Sequence, residues 1–265
     1  MVTSESWEEA VRLARANPTL AVGLHLVLVD GWSALPTTRI PHLVDRLGRF
    51  RSSPFAAGFF AQFPPIAAGE LRQEVRAQLE RFRETGLRLS HVDGHHHLHL
   101  HPVVLDTLAA LAREFDIRAV RLPVEEPRLA RACGLRVGVG AAVGDRVFRL
   151  LRRSGERLLA PAGVGFEERV YGRLATTRVD EAYLLALLPR LAADRVEIYC
   201  HPDLSADGEP RGVPNAPGLR ELAALTSPAV RRAIAEAGFA LSDGESRGVP
   251  REASGVGAEA RLSVG

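Results

Sequence analysis

His91-Val92-Asp93-Gly94-His95-His96-His97-Leu98-His99-Leu100-His101-Pro102 is the stretch from which the fold is read. It begins inside the run Leu87 to Asp93, which predicts a strand, and ends at a proline able to open a helix that should reach about Phe115. A strand handing over to a helix through a polar turn is the repeating step of an α/β fold. Upstream, Leu20 to Val29 predicts a second strand, with Leu20, Val22, Leu24, Leu26 and Leu28 on one face. Its other face, Ala21, Gly23, His25 and Val27, is small apart from one imidazole and suits a wall beside a ligand cavity. Downstream, strands are predicted at Arg118 to Pro123, Arg169 to Leu174, Arg195 to Cys200 and Phe239 to Ser242. Helices are predicted from a Ser6–Glu9 capping box to about Asn17, over Gly69 to Thr85, over Val179 to Ala193, and once or twice within 217–237. Residues 125–165 read as mostly helical with glycine-rich breaks. This alternation argues for α/β with a parallel sheet. Histidines or arginines close at least three strands, and strand ends form the active face of a closed barrel of such units.

The 265-residue chain is long enough to bury its apolar surface without disulfides. Its 46% hydrophobic and 25% charged content excludes a disordered or fibrous protein. The net charge of +2, carried by scattered arginines with no lysine, gives no sign of a nucleic-acid partner. Cys133 and Cys200 form no CxxC, no apolar run is long enough for a transmembrane segment, and residues 1–9 lack a signal pattern, so a cytoplasmic protein is expected. Residues 30–68, rich in Pro, Gly and Phe, read as a long loop or lid. Trp32, Phe59, Phe60 and Phe63 could give it an apolar surface for a sugar ring or lipid tail, or simply a hydrophobic cap. The tail 244–265 shows no periodicity and is expected to be disordered.

Five histidines crowd into residues 95–101. As a strand they would align His95, His97, His99 and His101; as a helix they would align His95 with His99. Either arrangement can offer imidazole nitrogens to one divalent ion, whereas a solvated polar loop would offer none. His25 alone could be an ordinary hydrogen-bonded core histidine. His201 follows an apolar strand and suits a general acid or base, with a structural histidine as the alternative. Arg121, at another strand end, could hold a substrate oxygen or an aspartate, or make only a weak surface ion pair. There is no GxSxG, no P-loop and no GxGxxG after the first strand, and no carboxylate pair stands out for glycoside hydrolysis.

Gly23-Leu24-His25-Leu26, the run His91 to His99, and Glu197-Ile198-Tyr199-Cys200-His201-Pro202 together resemble the YdjC-like carbohydrate deacetylases, which include the chitooligosaccharide deacetylases. Ala21 to Asp30 and Arg121-Leu122-Pro123 resemble most the branch associated with hopanoid biosynthesis. The resemblance covers the chain to about Asp243. It implies a distorted (β/α) barrel of the polysaccharide-deacetylase type over residues 1–243, removing acetyl from an N-acetylated sugar or glycolipid such as an N-acetylglucosaminyl hopanoid. It implies a divalent metal ion, Mg2+ or Zn2+, on His25 and His95 with an aspartate, and His201 as the residue that protonates the leaving amine. Asp93 would orient a metal-binding imidazole, and Arg121 would bind a sugar hydroxyl or brace a carboxylate.

Family members open with a strand ending in Asp-Asp-Phe-Gly, which supplies a metal ligand and the base. Here Met1-Val2 aligns inside the following strand, so the first βα unit is expected to be missing. Weak metal binding, little turnover, and open strand edges that could pair with another chain as a homo-oligomer would follow. A catalytically inactive sugar-binding remnant, or another barrel metallohydrolase such as a phosphoesterase, are the alternatives.

Overall fold

The computed structural model describes residues 1–51, 65–204, 217–242 and 259–264. The chain is mixed α/β, with helices α1 (Trp7–Ala16), α2 (Ala68–Glu84), α3 (Pro102–Leu111), α4 (Pro127–Ala132), α5 (Val139–Leu159), α6 (Glu181–Leu187), α7 (Pro217–Thr226) and α8 (Pro228–Glu236). The strands are β1 (Leu24–Leu26), β2 (Val92–Gly94), β3 (Arg169–Tyr171), β4 (Arg195–Cys200), β5 (Ala240–Leu241) and β6 (Glu259–Val264). Two compact units divide these elements. Among the described residues no helix is long and apolar enough to cross a membrane.

Of the described residues, the first unit comprises 1–51, 65–121 and 151–166. In it β1 and β2 pair in parallel, placing His25 opposite Asp93 and Leu26 opposite Gly94. Val92 bridges to Val120 and Ala119 to Gly165, again in parallel. Leu24, Leu26, Leu71, Leu79, Val92, Leu105 and Leu108 are buried in its core.

The expected strand over Leu20–Val29 is confined to three residues, and Leu20 is exposed. The physical reason lies on α2. The side chain of Gln78 accepts from the Val27 backbone N–H at 3.0 Å and donates to the Val27 carbonyl at 2.8 Å, taking the groups a ladder would use. Glu74, one turn earlier and equally buried, accepts from the backbone of Ala34 and Leu35 at 2.7 and 3.0 Å. Burial pushes the Glu74 carboxyl up, although these hydrogen bonds pull the other way. Thus two polar residues of a charged-looking helix hold the backbone on either side of the point where the expected lid begins. Trp32 is exposed with the Arg49 guanidinium over its ring, while Phe59, Phe60 and Phe63 lie outside the described residues.

Ser6 sits at the N-cap of α1 without the expected side-chain hydrogen bond. Pro102 does open α3, and the His101 ring nitrogen accepts from the Val103 N–H as its cap.

Of the described residues, the second unit comprises 122–150, 167–204, 217–242 and 259–264. Its sheet runs β3-β4-β6-β5, parallel throughout. Tyr171, Leu184, Leu187, Val196, Ile198, Ala224, Val230 and Ile234 form its core. The Asp180 carboxylate caps α6 by accepting from Tyr183 N–H at 2.9 Å. Part of the expected disordered tail is a strand: Glu259–Val264 pairs with β4 along its whole length. Ala260, Leu262 and Val264 alternate with Glu259, Arg261 and Ser263 in the sequence, a two-residue period that suits this role.

Candidate metal and acid–base site

Parallel pairing of β1 with β2 sets His25 against Asp93, and the two side chains meet, with His25 Nδ1 2.8 Å from Asp93 Oδ1. The second Asp93 oxygen accepts a charge-assisted bond from Arg121 Nη1. Both Asp93 and Arg121 are almost wholly buried. Burial opposes ionisation of Asp93, but the Arg121 guanidinium and His25 outweigh it and hold the carboxyl well below its ordinary range. Asp93 is therefore a fixed anion. It accepts the Nδ1–H of His25, which directs the other ring nitrogen, Nε2, away from the brace.

The run after β2 follows neither periodicity considered for it. Residues His95–Leu100 form a tight 3-10 segment in which His96 and His97 adopt left-handed backbone angles, with φ of 50° and 59°. The rings of His95 and His96 nonetheless stay together, centroids 4.3 Å apart and tilted by 60°. His95 packs edge-on to His25, ring centroids 5.8 Å apart. His96 is half-exposed, 3.6 Å from Asp30. His99 is fully buried and its Nε2–H donates to the Arg121 carbonyl at 2.8 Å. Burial pushes the His99 imidazole down to about 4, so it is neutral, and it belongs to the bracing of Arg121. His91, also buried, has its Nδ1 2.7 Å from Ser90 Oγ.

The glycine expected to open a cavity beside His25 has another use. A Cβ at Gly23 would collide with the His91 imidazole, and one at Gly94 would stand 3.0 Å from His99 Cβ. The small residues make room for buried histidines.

Of the residues expected at the site, His25, Asp93, His95 and Arg121 come together in the first unit. Arg121 turns its guanidinium to the Asp93 carboxylate. His201 belongs to the second unit, directly after β4. Its backbone is held by Glu221: Oε2 accepts from His201 N–H at 2.5 Å, and Oε1 accepts from Val179 N–H at 3.0 Å. The His201 ring stands edge-on to Tyr199 at 5.7 Å. Sequence reasoning did not single out His99 or Glu221. The first was hidden in a run of like residues and the second in an ordinary amphipathic helix.

The donor set suits a divalent cation in part. Two imidazoles lie side by side, one of them oriented by a braced carboxylate, the usual support for a metal-binding histidine. Among the described residues, no group of three His, Cys, Asp or Glu side chains is placed to hold a metal ion. The arrangement therefore fits two ligands of a site.

A family profile described as YdjC-like protein matches residues 1–236. A carbohydrate deacetylase of Brevibacillus brevis is 43% identical over 132 residues, 49% of this chain and 47% of that protein. The chain thus spans about half the length of the first curated relatives it matches. A chitooligosaccharide deacetylase of Citrobacter koseri is 29% identical over 91% of this chain and 83% of its own. The crystal structure of a candidate cellobiose-phosphate cleavage protein from Enterococcus faecalis V583 is similar in fold, with a TM-score of 0.65 and 24% identity over 89% of this chain and 82% of that one.

Proposed function

The chain belongs to the YdjC-like protein family, and from that premise we propose that it is a hydrolase that removes the acetyl group from an N-acetylated sugar with the help of a divalent metal ion. The observation that carries this reading is the buried chain Arg121–Asp93–His25 with His95 beside it. The names of the relatives support the reaction class. His25, through Nε2, and His95 are the proposed ligands. When bound, the cation polarises a carbonyl oxygen and lowers the pKa of a water molecule. Asp93 keeps the His25 ring in one tautomer and one orientation, and Arg121 keeps Asp93 ionised. His201 is the proposed donor of a proton to the departing amine nitrogen, which leaves poorly unless protonated.

Within this substrate class, an N-acetylglucosaminyl hopanoid is the glycolipid we propose, on the sequences Ala21 to Asp30 and Arg121-Leu122-Pro123. A distorted (β/α) barrel is the proposed architecture, supported by parallel pairing within each unit and the fold likeness already given. A cytoplasmic location is the one we propose, on Cys133 and Cys200 lying far apart in the sequence and forming no CxxC.

The test is acetate release from an N-acetylglucosaminyl oligosaccharide with added zinc or magnesium. Metal-dependent release that vanishes in His25→Ala is expected. Release no greater than that of His25→Ala overturns the reading, and hydrolysis of a generic phosphate ester in its place favours a phosphoesterase.

A further inference from the structure

The N-terminal ends of β3 and β4 border a cleft of ≈ 980 Å³ in the second unit. Glu168 and Arg169 at the start of β3, and Ala192 and Ala193 just before β4, contribute to its wall. Five arginines line it: Arg128, Arg131, Arg149, Arg169 and Arg190. Three carboxylates, Glu126, Asp145 and Glu168, stand against them.

Two of the five guanidinium groups are compensated at once. Arg169 pairs with Glu126, and Arg149 Nη2 lies 2.5 Å from Asp145 Oδ2. Glu126 also accepts from the Tyr171 hydroxyl at 3.0 Å, which fixes it on the wall. Glu168 lies 3.9 Å from a sixth arginine, Arg195, outside the lining. Arg131 and Arg190 bond instead to the carbonyls of Val137 and Ala186, at 3.3 and 2.7 Å. Such contacts use a hydrogen but cancel no charge. Arg128, Arg131 and Arg190 are exposed, so the cleft keeps a positive excess at an accessible wall.

Guanidinium forks match tetrahedral oxyanions in pairs of parallel hydrogen bonds, and a dianion answers several of them together. A cleft of this size also exceeds what a bare ion fills, lying at the upper end of the roughly 300–1,000 Å³ typical of small-molecule sites. Six residues of β4 at about 3.3 Å each separate this end from His201, on the order of 20 Å. The cleft is therefore distinct from the end of the strand that carries the proposed proton donor.

We propose that this arginine-lined cleft is a second binding site, which takes the phosphoryl group of a small phosphate monoester. This does not depend on the deacetylase reading, since no residue of the cleft takes part in it.

Isothermal titration of the full chain with inorganic phosphate, glucose 6-phosphate and glucose, at about 0.15 M salt to suppress loose ion pairing, decides the matter. Saturable binding of glucose 6-phosphate, weaker binding of phosphate and none of glucose are expected. Arg131→Gln/Arg190→Gln should weaken both by about tenfold or more, because hydrogen bonds to charged groups are lost. Arg231→Gln/Arg232→Gln, which removes the same charge from an exposed stretch of α8, should change affinity less than about twofold. Absence of saturation, equal loss in the two double variants, or unchanged affinity in Arg131→Gln/Arg190→Gln overturns the proposal. Tight phosphate binding with no preference for the ester shows a free-anion site and overturns the monoester assignment.

Discussion

Asp93 shares its carboxylate between His25, at 2.8 Å from one oxygen, and the buried guanidinium of Arg121 at the other. The pair thus couples the orientation of an imidazole on β1 to a buried ion pair. Asp93→Asn keeps the shape and removes the charge. Arg121 is then buried without its counter-ion, and unfolding free energy should fall by about 3–5 kcal/mol. Denaturant unfolding measures this, and a loss below about 1 kcal/mol would show that the pair behaves as a surface one.

Metal retention separates the histidines. His25→Ala and His95→Ala should each lower zinc content sharply, and by more than His96→Ala, whose ring touches that of His95 but lies half-exposed beside Asp30. Elemental analysis after dialysis reads the result. Equal losses in all three would show that the cluster binds zinc without selectivity.

Gly23 and His91 occupy one space. Gly23→Ala forces the His91 ring to move and should cost about 1–3 kcal/mol. Gly23→Ala/His91→Ala should cost less than the two single changes summed, since the second removes the clash made by the first. Thermal unfolding of the four proteins closes the cycle, and strict additivity would contradict the packing described.

Glu125, buried in the second unit, accepts from Leu174 N–H at 3.1 Å and has Arg173 Nε 4.0 Å away. Burial pushes its carboxyl up to about 7, the nearby Arg173 notwithstanding. The folded state then holds a proton that the unfolded chain releases nearer 4.5. This stabilising contribution is complete below about 4.5 and is lost as pH rises through about 7, by up to about 3 kcal/mol. Glu125→Gln should flatten that part of the stability–pH curve, as chemical denaturation at pH values across it would show. An unchanged slope would place the titration elsewhere.

How far the sequence discloses this molecule depends on what each residue answers to. The strand Arg195–Cys200 is legible to the residue, because Val196, Ile198 and Cys200 recur at the two-residue period of a strand. The strand at Leu24–Leu26 is legible in kind but not in length, since its end is set by Gln78, some fifty positions away. The proline opening of α3 follows from local chemistry alone. The histidine run does not: no periodicity anticipates two adjacent non-glycine residues in left-handed angles, which tertiary packing imposes. Arg121 was readable as a brace only as one of several options, because the choice is made by a carboxylate on a neighbouring strand. Glu74 and Glu221 look like solvated helix faces, and only the unpaired backbone groups they satisfy reveal why each is inside.

The left-handed pair His96–His97 has a practical corollary. Each such residue costs roughly 1–2 kcal/mol relative to ordinary helical angles, a penalty that glycine escapes. Directed evolution for heat resistance alone would therefore drift towards glycine at these two codons, and would reshape the loop that carries His95 without any selection on chemistry. Stabilising this protein while keeping its imidazoles in place calls for holding 96 and 97 constant and searching elsewhere.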